Sequence, residues 1–259
     1  MHQATDLTVW RAGARGQLRT DWLDARLTLN FGPWRAPGRD RFGPLRVLND
    51  DRVDPGTGFG MHGHRDLDIL MVPLSTPIEH RDSEGRHQWV RPGEIQWMRA
   101  GRGVAHSQMN ASNDRVDRHL QLWVEPDHKG LQTEVWVHPI GPRVPGRWQA
   151  LCGEETGLFQ PDAPIGLWLG WAAPGQVLSL GSAEARLLQV VHGPVWVVTA
   201  NGLRTTLEEG DALVFHQRAI PLLLRGADGA TVLRVETPAL DPATGRWLAQ
   251  PVQPWAAGS

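Results

Sequence analysis

Cysteine is almost absent from this chain of 259 residues, where Cys152 stands alone. An intrachain disulfide is therefore impossible, and a thiolate-held metal cluster is excluded. Tyrosine is missing, and Lys129 is the single lysine in a basic set that is otherwise arginine. That skew, like the 13 tryptophans, reads as a compositional bias of the source rather than as function. An excess of one charge is lacking too. The formal net charge is -2, so no electrostatic footprint for nucleic acid or an anionic membrane is visible. No run approaches the roughly 18 apolar residues of a membrane span. The opening MHQATDLTVWRAGARG has no apolar core of signal-peptide length. The expectation is a cytoplasmic protein that meets neither DNA nor membrane. Helical periodicity is weak throughout, and residues 184–188 are the one place where a short helical turn is expected.

What the chain does have is 29 glycines, 20 prolines and 41% apolar residues. That composition can bury a core and fits many short strands joined by turns. Leu120, Leu122 and Val124 alternate with Gln121 and Trp123, a period of two. The runs 187–191 and 194–198 are rich in β-formers and are split by His192-Gly193. Pro77, Gly85 and Gly93 recur 117 residues later as Pro194, Gly202 and Gly210. An ungapped match of this kind points to duplicated domains. The expected division is 1–145 and 146–259, with the Gly- and Pro-rich stretch 141–164 as the linker.

Chemistry concentrates in two short pieces. On a strand, residues two apart share a face, so His62 and His64 project together, as do His106 and Gln108. Three imidazoles converging in a barrel suit a divalent transition metal. The usual fourth partner would be a carboxylate. Gln108 is instead an uncharged amide that cannot act as a base near neutral pH. Asp68, four residues after His64, shares that strand face and is the alternative fourth ligand. His80 and His87 read as polar positions flanking a hairpin turn at Asp82-Ser83-Glu84-Gly85, and His119 as a surface residue. Trp97, Met98 and Gln121 are candidates to line a pocket, although ordinary packing explains each of them. Moving the ligand positions by 117 lands on Ser179, Gly181, Leu223 and Arg225, and only His138, His192 and His216 lie after residue 130. The second half is expected to be a barrel without a metal.

The stretch from Gly56 through His62-Gly63-His64 to Asp68 resembles the first cupin motif, with Asp where Glu is usual. Residues 101–110, GRGVAHSQMN, resemble the second, with Gly101 where Pro is usual. The resemblance implies an all-β bicupin of two jelly-roll barrels related by internal duplication. More specifically, residues 49–125 resemble the N-terminal domain of the pirin family, in particular its bacterial members with quercetinase activity. LRVLNDDRVDPGTGFGMHGHRDLDIL, EHRDSEG, RPGEIQWMRAGRGVAHS and LQLWVEP carry the likeness. It implies one mononuclear metal, commonly Fe, with Zn, Mn, Co, Ni and Cu as the other candidates. The ligands carried over by position are His62, His64, His106 and Gln108. Two departures stand out: Gly63 replaces a proline and Gln108 replaces a glutamate. In the quercetinase mechanism so implied, that glutamate also accepts a flavonol hydroxyl proton, which Gln108 cannot do. The implied substrates are a flavonol such as quercetin and dioxygen, at a site with weakened metal binding. Pirin relatives also act as binding partners and regulators, so a non-enzymatic interaction protein with a protein partner is the other implied function.

Overall fold

In the computed structural model, residues 7–153, 158–180, 185–199, 202, 204–215, 222–226 and 229–238 are described. Apart from one short 3-10 turn, Ala12–Ala14, the regular structure of these residues is all strand. The first twelve strands are β1 (Leu7–Trp10), β2 (Gly16–Arg19), β3 (Leu23–Leu27), β4 (Leu45–Val53), β5 (Gly58–His64), β6 (Asp68–Pro73), β7 (Ile78–Asp82), β8 (His87–Val90), β9 (Glu94–Arg99), β10 (Val104–Asn110), β11 (Asp117–Val124) and β12 (Glu134–Pro139). The second set is β13 (Arg147–Cys152), β14 (Gly166–Ala172), β15 (Val177–Leu180), β16 (Ala185–His192), β17 (Val195–Thr199), β18 (Arg204–Leu207), β19 (Ala212–Phe215), β20 (Leu222–Gly226) and β21 (Ala230–Thr237).

These strands build two jelly-roll barrels of matching design. One small sheet runs β5-β10-β7-β8, and the other runs β15-β20-β17-β18. The large sheets run β12-β9-β6-β11-β4-β3-β2 and β1-β19-β16-β21-β14-β13. Strand for strand the orders correspond, except that β2 adds a seventh strand at one edge of the first large sheet and that the opposite edges are exchanged. At the exchanged edges β12, which precedes the second barrel in the chain, pairs with β9 of the first. Conversely β1, which precedes the first barrel, pairs with β19 of the second. Each barrel thus receives its edge strand from the segment leading into the other. The repeated glycines have a common cause. Gly85 and Gly93 hold φ of +84° and +91°, and Gly202 and Gly210 hold +82° and +86°. Only glycine takes this left-handed conformation without strain.

Period-two alternation then sorts the side chains. Leu48, Leu70, Leu120 and Leu122 face the second barrel and join one core with Leu167, Leu169, Leu187, Leu233 and Val235. The intervening residues of β4, β6 and β11 face the interior of the first barrel. The second barrel's interior is apolar, filled by residues such as Leu178, Leu180, Leu188, Val190 and Leu224.

The structure corrects two sequence expectations. Residues 185–192 form strand β16 rather than a helical turn, while Glu184 lies outside the described residues. Burial on both faces of a sheet outweighs local helix propensity there. The stretch 141–164 is not a plain linker, because it contains β13, which pairs with β14 just beyond it.

One arginine ties the barrels together. Arg118 donates from Nε and Nη2 to Asp50 at 2.9 and 2.8 Å, and to the Val191 carbonyl at 2.8 Å. Its Nη1 meets Glu209 at 3.1 Å. Burial alone would raise the Asp50 pKa, but the Arg118 hydrogen bonds and charge outweigh it and hold it below the ordinary value. This contribution to stability is therefore present above about pH 4 and is lost as pH falls through the depressed folded value. Arg118→Ala should lower the unfolding free energy by about 1.5–3 kcal/mol at neutral pH, because Asp50 loses its two charged hydrogen bonds and keeps only Arg15 and Arg52, at 3.8 and 3.7 Å. Urea denaturation measures this, and the loss should shrink as the pH is lowered below about 4.

Candidate metal centre

Strands β5 and β10 run antiparallel with His106 opposite His62 and Val104 opposite His64. Alternation turns His62 and His64 inward on β5 and His106 and Gln108 inward on β10. The ring centroids of His62 and His106 are 4.6 Å apart, those of His62 and His64 4.8 Å, and those of His64 and His106 5.1 Å. One ring nitrogen from each lies within 4.8 Å of the others, and this is the one such group of His, Cys, Asp or Glu among the described residues. Trp123 sits edge-on to His64 at 5.0 Å. His62 donates from Nδ1 to the Gly60 carbonyl at 2.7 Å, which leaves the Nε2 lone pair free.

The electrostatics favour neutral rings. Burial, with the His62 charge, pushes His64 down to about 4. Burial, with the charges of His62, His80 and His64, pushes His106 down to about 2. At neutral pH both rings therefore keep a lone pair. His64 Nε2 and both nitrogens of His106 are buried with no hydrogen-bond partner. Beside His64 a groove of about 420 Å³ opens to solvent, walled by Gly63, Arg65, Ser83, Arg102, Gly103 and Ala105.

Gln108 is buried and faces inward, but its amide is engaged. Its Nε2 donates to Met71 Sδ at 3.2 Å, and its Oε1 accepts from Gln121 Nε2 at 3.0 Å. Gln121 thus lines the interior, whereas Trp97 does not. Trp97 stacks between Trp136 and Phe159 at 4.5 and 4.8 Å, at the interface of the barrels. Met98 packs with Ile69, Ala100 and Val104.

Three further expectations change. Asp68 is buried away from the histidines, where its Oδ1 accepts from Arg99 Nε at 3.3 Å. Its pKa is pushed up to about 6 by burial, against the pull of Arg99. Ile69 and Met71 take the inward positions of β6, so Asp68 points outward. His80, expected as a polar position flanking the hairpin turn, is fully buried, and its ring lies 5.4 Å from that of His106. His87 does remain exposed, against Glu79. His119 is buried rather than on the surface. Its Nδ1 meets Asp117 at 2.5 Å and its Nε2 lies 3.6 Å from Asp51. The same period of two that revealed His62 and His64 runs through His80-Arg81-Asp82 and Asp117-Arg118-His119. What the sequence did not reveal is which face of those strands turns inward.

In the second barrel, strand position and register give different counterparts from a constant shift. Leu224 pairs with Leu178 and Leu222 with Leu180, as His106 pairs with His62 and Val104 with His64. Leu178, Leu180 and Leu224 are buried, so leucines stand where the first barrel has its three histidines. Ser179, one residue along, points outward and is exposed. Gly181 lies outside the described residues.

A family model described as Pirin matches residues 14–124. The chain is 34% identical over 224 residues to a quercetin 2,3-dioxygenase of Escherichia coli K12, covering 82% of this chain and 91% of that protein. It is 32% identical over 208 residues to a putative quercetin 2,3-dioxygenase of Mycobacterium tuberculosis H37Rv, covering 78% and 81%. Among solved structures, the nickel(II) complex of the bacterial pirin YhhW from Escherichia coli superposes with a TM-score of 0.80 at 27% identity. That match covers 90% of this chain and 99% of the other.

The His119 cluster generates a pH-dependent prediction. Burial would lower the His119 pKa, but Asp117, with Asp51 and Asp50 behind it, raises it overall. A raised folded value gives stability that is complete below about pH 6.5 and is lost as pH rises through the folded value. His119→Gln should therefore cost about 2–4 kcal/mol near pH 6, and less near pH 10. Urea midpoints at the two pH values measure the difference. An equal cost at both would show that the imidazolium charge contributes nothing.

Proposed function

The chain belongs to the pirin family, and we propose that it holds one divalent transition metal ion in its first barrel and acts with that ion on a flavonol and dioxygen. The ligands in this reading are His62, His64 and His106, with Gln108 at the fourth position. The buried, partnerless nitrogens of His64 and His106 carry the argument. A buried polar atom left unpaired costs about 1–3 kcal/mol, and a cation bound between the three rings removes that cost. Neighbouring imidazoles on one ion, each with a metal–nitrogen bond of ~2.1 Å, would have centroids roughly 4.5–5.2 Å apart. The observed 4.6, 4.8 and 5.1 Å fit that range. Iron is the proposed metal. The nickel(II) complex of the related pirin makes nickel the first competitor, ahead of Zn, Mn, Co and Cu.

When bound, the metal supplies Lewis acidity toward a substrate oxygen and access to dioxygen chemistry. The chain's own residues supply the rest. The Gly60 carbonyl fixes the His62 ring. Trp123 packs on His64 and keeps water from that side. Gln108 can orient a hydroxyl through its amide, but it cannot take the proton. The reading is therefore of a site with the family's imidazoles and a weakened fourth position.

Gln108 also supports a second reading, a metal-holding interaction protein without turnover. Its amide already bonds Met71 and Gln121, and it cannot take a proton as a carboxylate would. Aerobic quercetin consumption by protein loaded with Fe, Ni, Co or Mn separates the two. Turnover with any of these metals supports the dioxygenase, whereas inactivity of every loaded form leaves the second reading. Gln108→Glu should tighten metal binding at least ~10-fold and raise quercetin turnover, with affinity measured by competition against a chromophoric chelator. Unchanged affinity would remove position 108 from the ligand set.

A further inference from the structure

A histidine that binds a metal through one ring nitrogen needs a partner for the other. That partner fixes the tautomer and the ring orientation, and losing it typically weakens binding ~10–100-fold. His62 has the Gly60 carbonyl. His106 is fully buried, and neither of its nitrogens has a partner. The polar ring beside it, outside the trio, belongs to His80. His80 is also fully buried, and neither of its nitrogens has a hydrogen-bond partner. Two such vacancies side by side on neighbouring strands are the observation to be explained.

We propose that His80 is the positioning partner of His106, so that a relay His106–His80–Asp82 orients the metal-bound imidazole. The inference rests on the metal reading above. The ring centroids lie 5.4 Å apart, and a small rotation of either ring would bring the two nitrogens into hydrogen-bond contact. An N···N distance of ~3 Å places the centroids roughly 5 Å apart. Register brings the parts together. Across β7 and β10, Asp82 is the partner of His106 and His80 is the partner of Gln108. His80 and Asp82, two apart, share the inward face.

The far end of the relay is anchored. His80 Nε2 lies 3.6 Å from Asp82 Oδ2. Asp82 accepts from the backbone N–H groups of Glu84 and Arg86 at 3.0 and 2.9 Å and from Arg86 Nη1 at 3.1 Å. A carboxylate held this way stays ionised and aims one oxygen at His80. A neutral His80 then donates from Nε2 toward Asp82 and accepts at Nδ1 from the N–H of His106. The other His106 nitrogen keeps its lone pair for the metal. A carboxylate two rings away also passes electron density toward that lone pair, which matters more in a site whose fourth position is an uncharged amide.

The test uses the full chain loaded with zinc(II), which is diamagnetic. In His80→Leu the zinc affinity should fall roughly 10–100-fold, while His80→Gln, whose amide can both accept from His106 and donate to Asp82, should stay close to wild type. Asp82→Asn should give a smaller loss in the same direction. In nitrogen-15 NMR of zinc-loaded wild type, the His106 ring N–H should resist exchange with water, and His80→Leu should abolish that protection. Should His80→Leu fail to fold, His80→Gln and Asp82→Asn carry the same comparison. Affinity and N–H protection unchanged in His80→Leu, or in Asp82→Asn where the leucine variant does not fold, overturn the inference. So does a loss in His80→Gln as deep as in the leucine variant. A wild type that takes up no zinc overturns the metal reading and this inference with it.

Discussion

The register between β5 and β10 is the constraint from which the site follows. With His106 opposite His62, alternation turns both strands' histidines to one interior. A slip of one residue would turn the inward residues of one strand outward and break up the trio. The same pairing sets the environment. Surrounded by protein, His64 and His106 lose water and their protonated forms are disfavoured, so both remain neutral donors in a cavity that offers them few partners. A cation is the simplest species that satisfies all three.

Duplication provides an internal control. Two barrels with the same strand order enclose different interiors, polar in one and aliphatic in the other. Leu178, Leu180 and Leu224 stand where the first barrel has its three histidines, so the same strand pairing holds a candidate metal site in one barrel and a core in the other. The fold thus tolerates either filling, and the chemistry is decided by a few inward positions. The apolar contact between the large sheets, the exchanged edge strands and Arg118 bind the halves so closely that the second barrel supports the first whatever its own interior holds.

Much of this was legible in order along the chain. Strands, turn glycines, the repeat and the His62–His64 and His106–Gln108 pairs all follow from local spacing. Misreadings arose where orientation across strands was needed. His80 and His119 looked like polar surface positions because single histidines flanked by arginine or aspartate usually are. Both lie inside, because their strands turn that face to the barrel. Asp68 fits the spacing of a ligand, yet β6 begins at Asp68 and turns Ile69 and Met71 inward, which leaves Asp68 to Arg99. A constant shift of 117 also failed at the ligand positions, because β15 and β20 are each displaced by one residue relative to β5 and β10.

By itself the sequence determined that the chain is a duplicated β protein with three paired imidazoles and an amide where a carboxylate is usual, since these depend only on residue type and near spacing. The tertiary structure decided which polar side chains meet. It placed His80 and Asp82 behind His106, enclosed His119 between two aspartates, engaged Gln108 with Gln121 and Met71, and removed Asp68. The physical reason is that strand pairing joins residues far apart in the chain, and the face each one presents is fixed by packing against sheets that local sequence does not encode.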